Sequence, residues 1–171
     1  MNDNNTGRAL AAMVVTLLAA CATVTPYQPA HKGYGYSAQL IENNRYRVSF
    51  TGSSATPRQT VENYLLYQAA EVTLNSGNDY FIIASSSTSA KDGSGPTLSF
   101  GLGGFGFGSR SGVGVGVGTS TDSARGAEYS AQAEILTCKG RKPADNPQAF
   151  DAREVKANLE AGIVRPDDKK P

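Results

Sequence analysis

The stretch from Thr56 to Gly77 constrains the fold more than any other part of the chain. Thr56 is a good N-cap, Pro57 suits the first helical position, and Gln59 completes a Thr-x-x-Gln capping box. Val61, Leu65, Ala69 and Val72 then recur at helical spacing, widened by Tyr64 and Leu66, and Gly77 is the natural residue to end the helix. A helix with so broad an apolar side needs a sheet to cover. The Tyr64-Leu65-Leu66-Tyr67 run could instead present a partner-binding face, but core packing is the commoner use of such a run.

Strands stand on both sides of this helix. In Arg45–Thr51, Tyr46, Val48 and Phe50 alternate with Arg45, Arg47 and Ser49, the period of a half-buried strand. Asp79–Ser85 is a short, nearly continuous apolar run that suits a central strand. Strand, helix and strand in this order allow a right-handed parallel crossover. Ala127–Cys138 supplies a third core strand, with Tyr129, Ala131, Ala133 and Ile135 on one face and Glu128, Ser130, Gln132 and Glu134 on the other. Beside Arg45–Thr51 it would let Arg45 and Arg47 meet Glu128 or Glu134 on an open face. Asn146 and Pro147 start a final helix over 148–161, with the stripe Ala152, Val155 and Leu159 and with Phe150 near its start. The expectation is an α+β fold: a small sheet of about three core strands packed by one long helix, a Gly-rich hairpin or loop, and a C-terminal helix.

Residues 97–119 do not read as core. Phe100, Leu102, Phe105 and Phe107 alternate with glycine, Ser109-Arg110-Ser111 interrupts, and Gly112 to Gly118 resumes the alternation with valine. Two arms around a polar tip form a hairpin with one flat glycine face, and Gly103-Gly104 calls for a bulge. Glycine weakens strands, so an irregular loop is nearly as good a reading. A glycine-faced ribbon would suit a membrane surface or another protein's sheet edge. Gly101-x-Gly103-x-x-Gly106 matches a dinucleotide fingerprint in letters only, since it opens no helix and has no acidic partner at the needed distance.

The first twenty-one residues carry the main functional signal. After Arg8, an uncharged apolar run of twelve residues from Ala9 to Ala20 ends at Cys21. A membrane-spanning helix needs about 20 residues, whereas the core of a secretory signal takes about 7–15. Leu18-Ala19-Ala20-Cys21 is the pattern of a bacterial lipobox, so Cys21 is expected to be the mature N-terminus, acylated on sulfur. An ordinary secretory signal with a chance cysteine, or a short uncut anchor, is the competing interpretation. Stable anchoring takes about two acyl chains. Bacterial lipoproteins of this kind carry a diacylglyceryl thioether and usually a third chain. Ala22 is not the Asp that holds many of them at the inner membrane, so the outer membrane is expected, on its periplasmic face.

The organisation expected is therefore a signal peptide at 1–20, a lipid-anchored tether at 21–39, an α+β domain at 40–162 with a Gly-rich insertion at 93–118, and a disordered tail at 163–171. Pro26 and Pro29 deny helix to the tether, although Tyr27, Tyr34 and Tyr36 are many aromatics for a spacer; 33–37 should touch the domain. Charge is nearly balanced, 16 basic against 15 acidic residues, which leaves no electrostatic footprint for nucleic acid. His31, the one histidine, stands beside Lys32 with no second ligand in view and reads as a surface residue. Acylation of Cys21 would leave Cys138 without a partner, either as a shielded thiol or as an intermolecular crosslinking site.

Gly35-Tyr36-Ser37, Arg45-Tyr46-Arg47-Val48-Ser49-Phe50-x-Gly52, Thr56-Pro57, Val61-Glu62-x-Tyr64-Leu65-Leu66-Tyr67-x-Ala69-Ala70-Glu71 and Asp151-Ala152-Arg153-x-Val155 together resemble an uncharacterised family of proteobacterial lipoproteins. The resemblance covers the anchor, most of 33–84 and the last helix, and implies no known activity. The 93–118 tract departs from it.

Three functions compete. The first is a lipid-anchored envelope protein with a structural or protein-interaction role. The second is an envelope stress sensor or secretion or assembly accessory working through the Gly-rich hairpin or Cys138. The third is an envelope enzyme, which the sequence disfavours: no catalytic set, metal-spaced cluster or cofactor site is evident, and Glu62 and Glu71 share a helix face poorly. The partners expected are the membrane, through the anchor, and an envelope protein, with no small-molecule substrate evident.

Overall fold

The computed structural model describes residues 23–91, 98–101 and 126–166. Its framework is one antiparallel sheet. The strands are β1 (Gly35–Glu42), β2 (Arg45–Thr51), β3 (Tyr80–Lys91), β4 (Leu98–Gly101), β5 (Glu128–Cys138) and β6 (Ala149–Asp151). Their order is β1-β2-β5-β3-β4, with β6 also paired to β3. The helices are α1 (Arg58–Asn75) and α2 (Ala152–Leu159), the latter running into a short 3-10 turn at Glu160–Gly162.

This corrects the expected three-strand sheet packed by one long helix, although α+β remains a fair description of the class. The additional strands are those whose pattern is weak. β1 is an edge strand whose residues from Ser37 onward are exposed, so it shows no apolar face. It is joined to β2 by the Asn43-Asn44 turn, where Asn44 adopts a φ of 63°, a conformation asparagine tolerates well. β6 is only three residues long, and it occupies the start of the expected final helix. Asn146 accordingly closes a turn, its Oδ1 accepting from Gln148 N at 2.9 Å. The cap of α2 is Asp151, whose carboxylate accepts from the Arg153 and Glu154 amides.

β2 and β3 both pair antiparallel with β5, so they run in the same direction with β5 between them. The β2-α1-β3 connection is therefore a crossover that skips one strand, which then inserts from later in the chain. β3 continues well past Ser85 because a bulge at Ala84 shifts its parity. Beyond the bulge Thr88 and Ala90 face inward and Ser85 and Ser87 outward.

α1 covers one sheet face. Val48, Phe50, Phe81, Ile83, Ala131, Ala133 and Ile135 form the sheet side of the core, and Val61, Tyr64, Leu65, Leu66, Tyr67, Ala69 and Ala70 the helix side. The Tyr64–Tyr67 run is thus core. Its burial extends beyond one stripe because α2 and the segment before β1 close over the back of the helix. Gly77, at φ +74°, ends α1 as expected.

Candidate functional site

Cys21, the candidate lipidation residue, and most of the 93–118 tract lie outside the described residues; of that tract only the backbone of Leu98–Gly101, paired with Ser87–Ala90, is described. What the structure supplies is the end of the domain where the chain after Cys21 enters the fold.

The expected tether is a strap. Thr23 accepts at its carbonyl from Ser53 Oγ at 2.6 Å. Thr25 N donates to Thr56 Oγ1 at 2.9 Å, and Ser53 N donates to Thr25 Oγ1 at 2.8 Å. The Thr56 hydroxyl, anticipated as the cap of α1, therefore grips the incoming chain instead. The helix begins one residue later than that cap requires, behind Pro57 and without a side-chain cap. The strap corrects the 21–39 boundary: packing starts at Thr25, 5% exposed, and β1 is already formed at Gly35.

Tyr27 is the bolt of the strap. Its ring lies tilted against Tyr36 at 4.6 Å and meets Tyr64 and Tyr67 edge-on at 5.6 and 5.0 Å. Its hydroxyl donates to Glu71 Oε2 at 2.7 Å and lies on the Gln68 amide oxygen. Burial, and then the Glu71 carboxylate, push this phenol well above its usual range. Glu71 also faces Lys156 of α2 at 3.3 Å.

The C-terminal segment joins the same cluster. Tyr27 N donates to Val164 O at 2.7 Å, and Val164 N donates to Tyr64 Oη at 3.0 Å. Tyr67 Oη donates to Glu160 Oε2 at 2.5 Å and accepts from Arg165 at 2.9 Å. Burial first, then Glu160, raise the Tyr67 phenol, while that hydrogen bond and Arg165 hold the Glu160 carboxyl below its usual range. Ile163 is 6% exposed, so the expected disordered tail does not begin at 163.

Beside the strap lies an open cleft of about 460 Å³ lined by Thr23, Val24, His31, Lys32, Ser54 and Glu128, among others. His31 and Tyr34 pair across a two-residue turn in which Lys32 and Gly33 have φ of 51° and 89°. Both central residues being left-handed marks a type I′ turn, which projects the Lys32 side chain outward. Exposed His31 is thus a surface residue in this cleft. Glu128, the cleft's carboxylate, accepts from the Tyr34 hydroxyl at 2.5 Å, which raises that phenol. The Tyr34 phenol thus occupies Oε1 of the carboxylate.

Cys138 is a half-buried free thiol at the end of β5, opposite Tyr80, whose phenol is raised by its hydrogen bond to the thiol. It lies on the same face of β5 as Gln132 and Glu134. Of the two anticipated charge pairs, Arg47 meets Glu134 at 2.7 Å, whereas Arg45 turns to Glu42 at 2.9 Å. Glu62 and Glu71 are separately engaged, by Arg58 and Lys156. Among the described residues no group of three or more His, Cys, Asp or Glu is placed to hold a metal, and no helix is long and apolar enough to cross a membrane. Comparison with known protein families, with curated proteins and with solved structures returns no match.

Proposed function

We propose that the chain is a lipid-anchored protein of the bacterial cell envelope, held at the periplasmic face of the outer membrane by acylated Cys21, with a structural or protein-interaction role. The observation that carries this reading is the uncharged apolar run closing on Leu18-Ala19-Ala20-Cys21. The position of the fold supports it. Thr25, four residues after Cys21, is already buried in the fold, which is close to where a mature lipoprotein would begin its folded part. The charged and hydroxyl groups at the strap are used to hold chain segments together, which favours a scaffold over a catalyst.

The experiment is expression with the leader intact in a bacterium with two membranes, followed by membrane fractionation and mass spectrometry of the N-terminal peptide. Acylated Cys21 in the outer-membrane fraction is expected, with Cys21→Ser lost from it. An unmodified thiol or an uncut leader overturns the reading.

A second reading, an assembly accessory using the Gly-rich tract, is favoured by one observation: among the described residues Leu98–Gly101 is the outermost strand at its side of the sheet. A strand in that position is where another chain's strand would add. Deletion of 93–118 combined with crosslinking in cells tests it, with loss of specific partners expected and an unchanged set against it.

A further inference from the structure

We propose that the folded head has no slack and lies directly on the bilayer, with the end of the sheet carrying Thr23, Val24, the His31-Lys32 turn and Ser54 facing phospholipid head groups. This rests on the reading of Cys21 as acylated. Two peptide steps separate Cys21 from Thr23, and they span at most about 7 Å. The polar layer of one leaflet is of similar thickness, about 5–8 Å.

Thr23 is already committed to the fold. Its carbonyl is bound by Ser53, Thr25 is bound through both its amide and its hydroxyl, and Tyr27 is bolted between Glu71 and the Val164 carbonyl. A linker long enough to let the head swing would have to come from these residues, at the loss of those bonds. Acyl chains in the hydrocarbon therefore put Thr23 at the head-group level, and its immediate surroundings with it.

Those surroundings suit the placement. Val24 is 40% exposed, an apolar side chain at the point nearest the lipid. Lys32 projects from its turn, and Ser54 lines the same cleft, so an ammonium and a hydroxyl face the phosphates. The one carboxylate there, Glu128, is held by the Tyr34 phenol. The far end of β1, with exposed Leu40 and Ile41, lies five and six residues beyond Gly35. At about 3.3 Å per residue that is roughly 17–20 Å along the strand, outside the head-group layer.

The test uses full-length protein matured from its leader, with Cys138→Ala as background and Cys21 acylation verified by mass. Single variants Lys32→Cys, Ser54→Cys, Leu40→Cys and Ile41→Cys carry a fluorophore in vesicles of phosphatidylethanolamine and phosphatidylglycerol doped with a head-group nitroxide lipid. Quenching at positions 32 and 54 is expected to exceed that at 40 and 41 several-fold. Acylated, vesicle-bound protein with equal quenching at both ends overturns the orientation and leaves the anchor reading standing. An unmodified Cys21 overturns the anchor reading and the orientation together.

Discussion

On the α1 side of the sheet, neighbouring strands bring Val48, Phe50, Ala131 and Ala133 together under a helix that leaves almost none of their surface in water. On the other side, at the same heights, Ser37, Ser49, Gln132 and Ser87 stand in a row across four strands, and Thr51, Ser130 and Ser89 form the next. The same backbone ladder serves both faces, but the helix side holds the burial and the strap, whereas the open side is held by short polar contacts such as Ser37 Oγ to Ser49 Oγ at 2.7 Å and Thr51 Oγ1 to Ser130 Oγ at 2.9 Å. Stability is concentrated on the first face. The second contributes little to the fold, a few tenths of a kcal/mol up to about 1 per cross-strand pair, so a strong constraint found there would point to a partner.

The sharpest way to break this contrast is to truncate adjacent residues of β2. Phe50 is fully buried and sits edge-on to Tyr64 at 5.0 Å, so Phe50→Ala is expected to cost about 3–5 kcal/mol. Ser49, one position away on the open face, is expected to change stability by less than about 0.5 kcal/mol when replaced by Ala. Denaturant unfolding of the soluble form lacking residues 1–21 measures both. Comparable losses would mean that the two faces are not different in kind.

The elements legible in the sequence were those with an uninterrupted period. β2, α1 and β5 carry alternation or helical spacing that a single buried face imposes, and their boundaries fall close to the expected ones. The sequence reads β3 only to Ser85, because the Ala84 bulge and the serine run conceal the period: Thr88 points inward, and its hydroxyl meets Glu62 at 3.2 Å. β1 and β6 carry no period, one because it is an edge and the other because it is too short. At the strap, Tyr27 and Tyr36 are too aromatic for a spacer, yet nothing local in the sequence reveals the strap itself. Its bonds run between residues about 30 to 140 apart, from Ser53 and Thr56 to Val164, and local pattern records no such pairing. Thr56 is legible as a hydroxyl with a task, but sequence proximity points to the helix N-terminus and not to Thr25, its partner in the fold.

A smaller effect separates the strap from a generic core. Tyr27→Phe keeps the ring contacts but removes the hydroxyl, leaving the Gln68 amide, 6% exposed, and one Glu71 oxygen short of a partner. The expected cost is about 1–3 kcal/mol. The pH dependence gives a second readout. Folding raises the Tyr27 and Tyr67 phenols above their ordinary value of 10.0, so the fold favours their neutral forms. That contribution is complete below pH 10 and is lost as pH rises from there, because the unfolded chain ionises first. The native protein should lose stability with a steep slope above pH 10, and Tyr27→Phe should flatten it. An unchanged slope would mean that the phenol is not held neutral by the strap.

The smallest effect tests the open face itself. Arg47 and Glu134 meet at 2.7 Å with side chains 41% and 26% exposed, a pair in contact with water. A double-mutant cycle with Arg47→Ala and Glu134→Ala is expected to give a coupling of about 0.2–1 kcal/mol. Raising salt from about 0.05 to 1 M shortens the Debye length from about 14 Å to 3 Å and should erode that coupling. Measured in the acylated protein on vesicles, the cycle asks whether the face stays solvated in place. A coupling above about 2 kcal/mol that ignores salt would require a desolvated pair, hence a cover over β2 and β5, and the polar rows would then be an interface and not a free surface. A weak, salt-sensitive coupling leaves the contrast as drawn: one face committed to the fold, the other open to solvent.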